Sequence, residues 1–122
     1  MLSKIKQVAV AVADLERSKA FYGNQLGLQQ VFEVPGQMVF FDMDGIWLML
    51  SKPTKEYPAR PGSTLYFAVT DIKSAHAQLR QRGVSFIDEP HLIADMGSYE
   101  LWMSFFRDPD DTILAIREEV AK

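Results

Sequence analysis

Apolar and polar residues alternate through residues 5–12, IKQVAVAV, putting Val8, Val10 and Val12 on one side and Gln7, Ala9 and Ala11 on the other. A period of two in β-branched residues predicts a strand, with the valine side under a helix. Asp14 follows as an N-cap, its carboxylate placed to accept from the first helical turn. The period then changes. Leu15, Ser18, Tyr22 and Leu26 recur every three or four residues, which predicts a helix to about residue 26, stopped by Gly27. Strands are expected at residues 28–34, 38–43 and 46–51. Pro35-Gly36 closes the first of these, and Asp44-Gly45 is a two-residue hairpin signal between the other two. The first half therefore reads β-α-β-β-β.

Residues 52–62, KPTKEYPARPG, hold three prolines and no apolar period, so they read as a connector. The pattern then starts again: a strand at 64–69, an Asp71 cap, and a helix with Ile72, Ala75, His76 and Leu79 on one face that ends at Gly83. A strand at 84–87 and a hairpin from 99–107 and 112–117 complete it, with 91–98 expected to be a long loop. Two matches tie the halves together. VADL at 12–15 recurs as VTDI at 69–72, 57 residues on; Met38, Phe40 and Phe41 recur as Met103, Phe105 and Phe106, 65 residues on. The second copy thus carries 8 more residues, assigned to 91–98. A unit repeated at this spacing implies duplication. Half of 122 residues is too little to bury a sheet face alone, so the chain is expected to be one domain: a module over about 4–51, the connector, and a second module over about 63–118.

Composition narrows the function. A net charge of −3 without any Lys/Arg block leaves nothing to neutralise phosphates, so no nucleic acid partner is expected. The absence of cysteine excludes disulfides, thiolate metal sites and thiol nucleophiles. No apolar run approaches the roughly 20 residues of a membrane span. The N-terminal MLSKIKQVAVAVADL looks superficially like a signal peptide but runs straight into the capping Asp14; it reads as a strand, and the expected compartment is the cytoplasm. Asp108, Asp110 and Asp111 read as a turn, since a Ca²⁺ loop needs more oxygen ligands at regular spacing.

VAVAVADLERSKAFYGNQLGL near the start and FFRDPDDTILAI near the end, in register over nearly the whole chain, resemble the vicinal oxygen chelate superfamily, the glyoxalase, bleomycin-resistance and dioxygenase group. The run PHLIADMGSYELWMSFFRDP is similar to a bacterial subgroup of it. The resemblance implies an α+β fold of two tandem βαβββ modules forming a curved mixed sheet around a central cleft. Asp111 stands where the family has a turn glycine, a position that Asp tolerates better than most residues.

Metal-dependent members carry four ligands on the first and last strands of each half. Carried over by position, these fall at Gln7, Met49, Thr64 and Ala115, of which only Gln7 has a plausible donor. The resemblance therefore implies a site without metal and without cofactor. With family strand parity, the concave face of the first half carries Gln7, Ala9, Met38, Phe40, Trp47 and Met49. That of the second carries Thr64, Tyr66, Met103, Phe105, Ile113, Ala115 and Arg117. This apolar, aromatic set with a few polar points suits a small molecule.

Three function classes follow. The first is sequestration of a small apolar or aromatic molecule by a homodimer, as in the drug-resistance branch. The second is a lyase, isomerase or dioxygenase with a rearranged metal site that recruits His91, Glu100 or Gln7; His91 and Glu100 flank the long loop and are expected to face each other across the hairpin base, as an acid/base pair or as hydrogen-bonding groups for a ligand. The third is a dimer scaffold with a packed interior.

Overall fold

The computed structural model describes residues 1–55, 58 and 64–122. It divides into two compact units, Met1–Gly62 and Ser63–Lys122. Much of the connector read over 52–62 lies outside the described residues.

In the first unit β1 (Gln7–Ala11) leads into α1 (Leu15–Ala20), which continues as a π-helical stretch over Phe21–Gln25. Then come β2 (Gln29–Val34), β3 (Met38–Met43) and β4 (Ile46–Ser51). The sheet order is β1-β4-β3-β2, with β1 and β4 parallel and the other pairs antiparallel. Asp14 caps α1, its Oδ1 accepting from Arg17 N at 3.0 Å. Asp44 (φ 54°) and Gly45 (φ 92°) turn β3 into β4 with two positive φ angles in succession, as a two-residue hairpin requires. One sheet face is sealed under α1: Val39, Phe41, Leu48 and Leu50 are fully buried, as are Leu15 and Tyr22 from the helix. Each such side chain contributes about 1.5–3 kcal/mol of burial.

The second unit repeats the plan with β5 (Leu65–Ala68), α2 (Ile72–Gln81), β6 (Ser85–Phe86), β7 (His91–Asp95), β8 (Tyr99–Arg107) and β9 (Ile113–Ala121). The order is β5-β9-β8-β6, and β7 also pairs with β8. Asp71 caps α2 through Ser74 N, and Glu118 reaches over from β9 to accept from Ile72 N at 2.9 Å. Asp111 adopts φ 62° in the last turn, where the Asp108 carboxylate accepts from Asp110 N and Thr112 N.

The structure departs from the sequence pattern in the sheets and in residues 91–98. The strands do not form one curved sheet around a cleft. Each half makes its own open mixed sheet that is neither closed nor strongly curled, ending at β1 and β2 in the first unit and at β5 and β6 in the second. Closure needs an edge strand that can continue the ladder. In the second unit the edge beside β8 is in two pieces, the two-residue β6 and the five-residue β7, with a break between them that includes Pro90, which has no N–H to donate. The surplus residues of the second copy are also not a loop. Residues 91–95 pair with β8, and only Met96-Gly97-Ser98 turns the chain. The surplus therefore lengthens a hairpin: β8 and β9 have nine residues each, against six in β3 and β4. Among the described residues no helix is long and apolar enough to cross a membrane.

Candidate ligand-binding faces

Register decides which side chains share a face. In the first unit, the side away from α1 is crossed by the row Gln29–Asp42–Trp47–Gln7 and the row Phe32–Phe40–Met49–Ala9. A third row places Val34, Met38, Ser51 and Ala11 together. Gln7, Met38, Phe40, Trp47 and Met49 thus occupy one face. Three aromatic rings form a diagonal ladder on it: Phe32 to Phe40 at 6.0 Å and Phe40 to Trp47 at 5.4 Å between centroids. The ends of the ladder are its most open parts, Phe32 being 55% and Trp47 39% exposed. Rings spaced this way present π-faces to a flat guest. Met38 and Met49 fill between them with flexible, polarizable side chains.

Phe32 did not belong to the expected set. Simple alternation puts it on the side of Gln30, which pairs with Phe41 under α1. A bulge between Gln30 and Phe32 inserts one extra residue, and Phe32 turns to the face of Phe40. Nothing in QQVFEV marks that bulge.

In the second unit, the side away from α2 carries the rows His91–Met103–Arg117–Ala68 and Phe105–Ala115–Tyr66. Tyr66 and Phe105 meet edge to face at 6.1 Å over the fully buried Ala115. Ile113 pairs with Arg107 on this side. Thr64 lies one residue before β5, and strand alternation gives it the side of Tyr66. Arg117 supplies a half-buried guanidinium, held at 3.3 Å by Glu119.

The positions inherited for a metal offer poor donors. Gln7 Nε2 is turned to Met49 Sδ at 3.8 Å. Thr64 has one hydroxyl and Ala115 no donor atom. This donor set does not fit a divalent cation, which needs carboxylate or imidazole. Among the described residues no group of three or more His, Asp and Glu side chains is placed to hold one.

His91 and Glu100 are separated by the sheet. His91 pairs with Met103 and shares its face. Glu100 pairs with Asp95 and Val120 on the face of Trp102. His91 Nδ1 bonds the Glu89 carbonyl at 2.7 Å, while Glu100 Oε1 accepts from Trp102 Nε1 at 3.2 Å. With Lys73 Nζ 5.7 Å above its ring, Trp102 is pinned as a packing anchor. The hairpin base does not bring the two groups together for proton transfer.

The pattern of the Glyoxalase/Bleomycin resistance protein/Dioxygenase superfamily matches residues 4–116. "Uncharacterized protein YraH" of Bacillus subtilis (strain 168) is 26% identical over 93% of this chain and 96% of its own. Among solved structures, lactoylglutathione lyase from Agrobacterium tumefaciens has a TM-score of 0.79 at 22% identity, over 97% of this chain and 95% of that one. TnmS3, an antibiotic binding protein from Streptomyces sp. CB03234, has a TM-score of 0.77 at 22% identity, over 97% of both chains. At these identities the structural likeness is one of fold.

Proposed function

Because the chain belongs to the Glyoxalase/Bleomycin resistance protein/Dioxygenase superfamily, we propose that it binds a small planar aromatic molecule without a metal ion and sequesters it rather than turning it over. One observation carries this reading: the Phe32–Phe40–Trp47 ladder, partly exposed on the sheet face that α1 leaves uncovered. A guest stacked there removes apolar area from water and gains ring–ring attraction. Gln7 and Asp42 flank Trp47 in the same row and supply the hydrogen-bonding points that fix orientation. The poor donors at the inherited ligand positions support metal independence, and the placement of His91 and Glu100 on opposite faces of the sheet supports binding over acid/base chemistry by that pair. The fold likeness to an antibiotic binding protein supports sequestration. The reading includes a cytoplasmic homodimer; exposed Leu92, Ile93 and Met96, on and just after β7, support association.

The test uses the two tryptophans. With Trp102→Phe as background, Trp47 is the sole indole reporter. A panel of flat aromatic antibiotics is expected to quench it saturably, and Phe40→Ala to weaken that quenching by about ten-fold, the loss of one stacked ring. If no compound quenches Trp47 while an added divalent metal stabilises the protein, the proposal is wrong.

A further inference from the structure

A cavity of about 550 Å³ lies on the α2 side of the second unit, lined among others by His76, Arg80, Ser85, Phe86, Asp88 and Glu89. His76 is only 6% exposed, and its Nε2 has no hydrogen-bond partner. Its ring rests against Phe86 at 4.3 Å between centroids. Facing it is Glu89, whose side chain is 77% exposed and brackets two groups without bonding either: Oε2 lies 3.7 Å from His76 Nε2 and Oε1 3.9 Å from Arg80 Nη1. Charge-assisted hydrogen bonds close to about 2.7–2.9 Å. The Asp88 carboxylate is anchored elsewhere, its Oδ1 accepting from Phe105 N at 2.8 Å and from Ser104 Oγ at 3.3 Å.

We propose that this cavity is a binding site for a small oxyanion, a carboxylate or phosphate, held by His76 Nε2 and the Arg80 guanidinium, with Glu89 as an internal stand-in that the ligand displaces. Two donors converge on one carboxylate that meets neither at bonding distance. A free oxyanion is not tethered to the chain and closes both distances, giving the buried imidazole nitrogen the partner it lacks; an unpaired buried polar atom is costly. The exposed Glu89 swings into solvent at little cost. Arg80 presents the forked geometry that suits carboxylate and phosphate. The Phe86 ring walls one side and favours an acid with an aromatic body. A cation is poorly served: among the described residues no three His, Asp or Glu side chains are grouped to hold one.

The experiment follows the His76 and His91 side-chain resonances by NMR while the full chain is titrated with benzoate and with inorganic phosphate. A saturable change at His76, with His91 unmoved, is expected for at least one probe. Tighter benzoate assigns the site to aromatic acids, tighter phosphate to phosphates. Glu89→Gln removes the competitor and is expected to tighten binding about three-fold or more, and Arg80→Gln to weaken it about ten-fold. Both side chains are exposed, so thermal unfolding of the variants should match the parent. The proposal is overturned if neither probe moves His76, if His91 responds instead, or if Glu89→Gln binds no more tightly than the parent.

Discussion

Asp88 shows a side chain doing the work of a missing strand residue. Between β6 and β7 the ladder on β8 is interrupted, and the Asp88 carboxylate takes the Phe105 N–H at 2.8 Å, while Ser104 Oγ donates to the Asp88 carbonyl at 2.9 Å. Asp88→Ala leaves a partly buried amide without its acceptor and is expected to cost about 1–3 kcal/mol in urea denaturation, with Asp88→Asn retaining much of the difference. A second residue-scale effect is electrostatic. Lys19 Nζ bonds Glu33 Oε1 at 2.9 Å, and that bond holds the Glu33 carboxyl below the ordinary carboxylate range and raises the Lys19 ammonium. For Glu33 the stabilisation is complete above its unfolded-state pKa and fades as pH falls through the depressed folded value. For Lys19 it is complete below the ordinary lysine pKa and fades as pH rises through the raised one. The pair thus supports a plateau between the two. Lys19→Met is expected to flatten the acid limb of a urea-midpoint profile against pH; an unchanged limb would assign that limb to other carboxylates. Residues with purely local jobs were legible in the sequence: the caps Asp14 and Asp71, and Asp111 in its positive-φ turn. Asp88 was not, because its partner lies 17 residues away and depends on register.

At the scale of elements, β3, β4 and β8 begin and end where the alternation says. Helix α1 does not continue as an ordinary helix. After six residues it widens: Leu26 N bonds Phe21 O and Leu28 N bonds Tyr22 O. The spacing of Leu15, Ser18, Tyr22 and Leu26 carries no trace of this, since one wider turn barely alters an i, i+4 pattern. Gly23 sits within the wide turn, and a Cβ there would come to 3.3 Å from Phe41 Cε1. Helix propensity alone favours alanine over glycine by about 0.8–1 kcal/mol. Phe41, however, is fully buried against Tyr22 and has little room to yield. Gly23→Ala is therefore expected to lower the urea midpoint; a rise of the size propensity gives would show that Phe41 yields freely. The strand β7 is hidden in the sequence for a related reason. HLIAD has strand composition, but Pro90 before it and Gly97 after it read as loop punctuation, and only pairing with β8 decides between the two.

For the whole molecule, duplication is written in spacings, whereas the shape of the sheets is not. Two copies of a capped helix and a Phe-Phe strand fix which elements exist and which faces they share, because side-chain alternation is a local property. Whether a sheet closes depends on its edges, and the edge facts, a two-residue β6 and an interrupted ladder before Pro90, emerge only with the hydrogen bonds in place. Which residues share the uncovered sheet faces is legible for the same reason, except where a bulge changes the parity, as at Phe32. A ligand that binds only the folded state at 100 times its Kd stabilises it by about 2.7 kcal/mol, several degrees of Tm for a chain of this size. Flat aromatic compounds are expected to give such a shift, undiminished after dialysis against EDTA. Ni²⁺, Zn²⁺ and Mn²⁺ are expected to give none, since Gln7, Met49, Thr64 and Ala115 bring neither imidazole nor carboxylate. A metal that raises Tm and a chelator that abolishes the aromatic shift would show that this chain binds its cation with other residues, and the aromatic ladder would then be the wall of a metal site instead of a site in its own right.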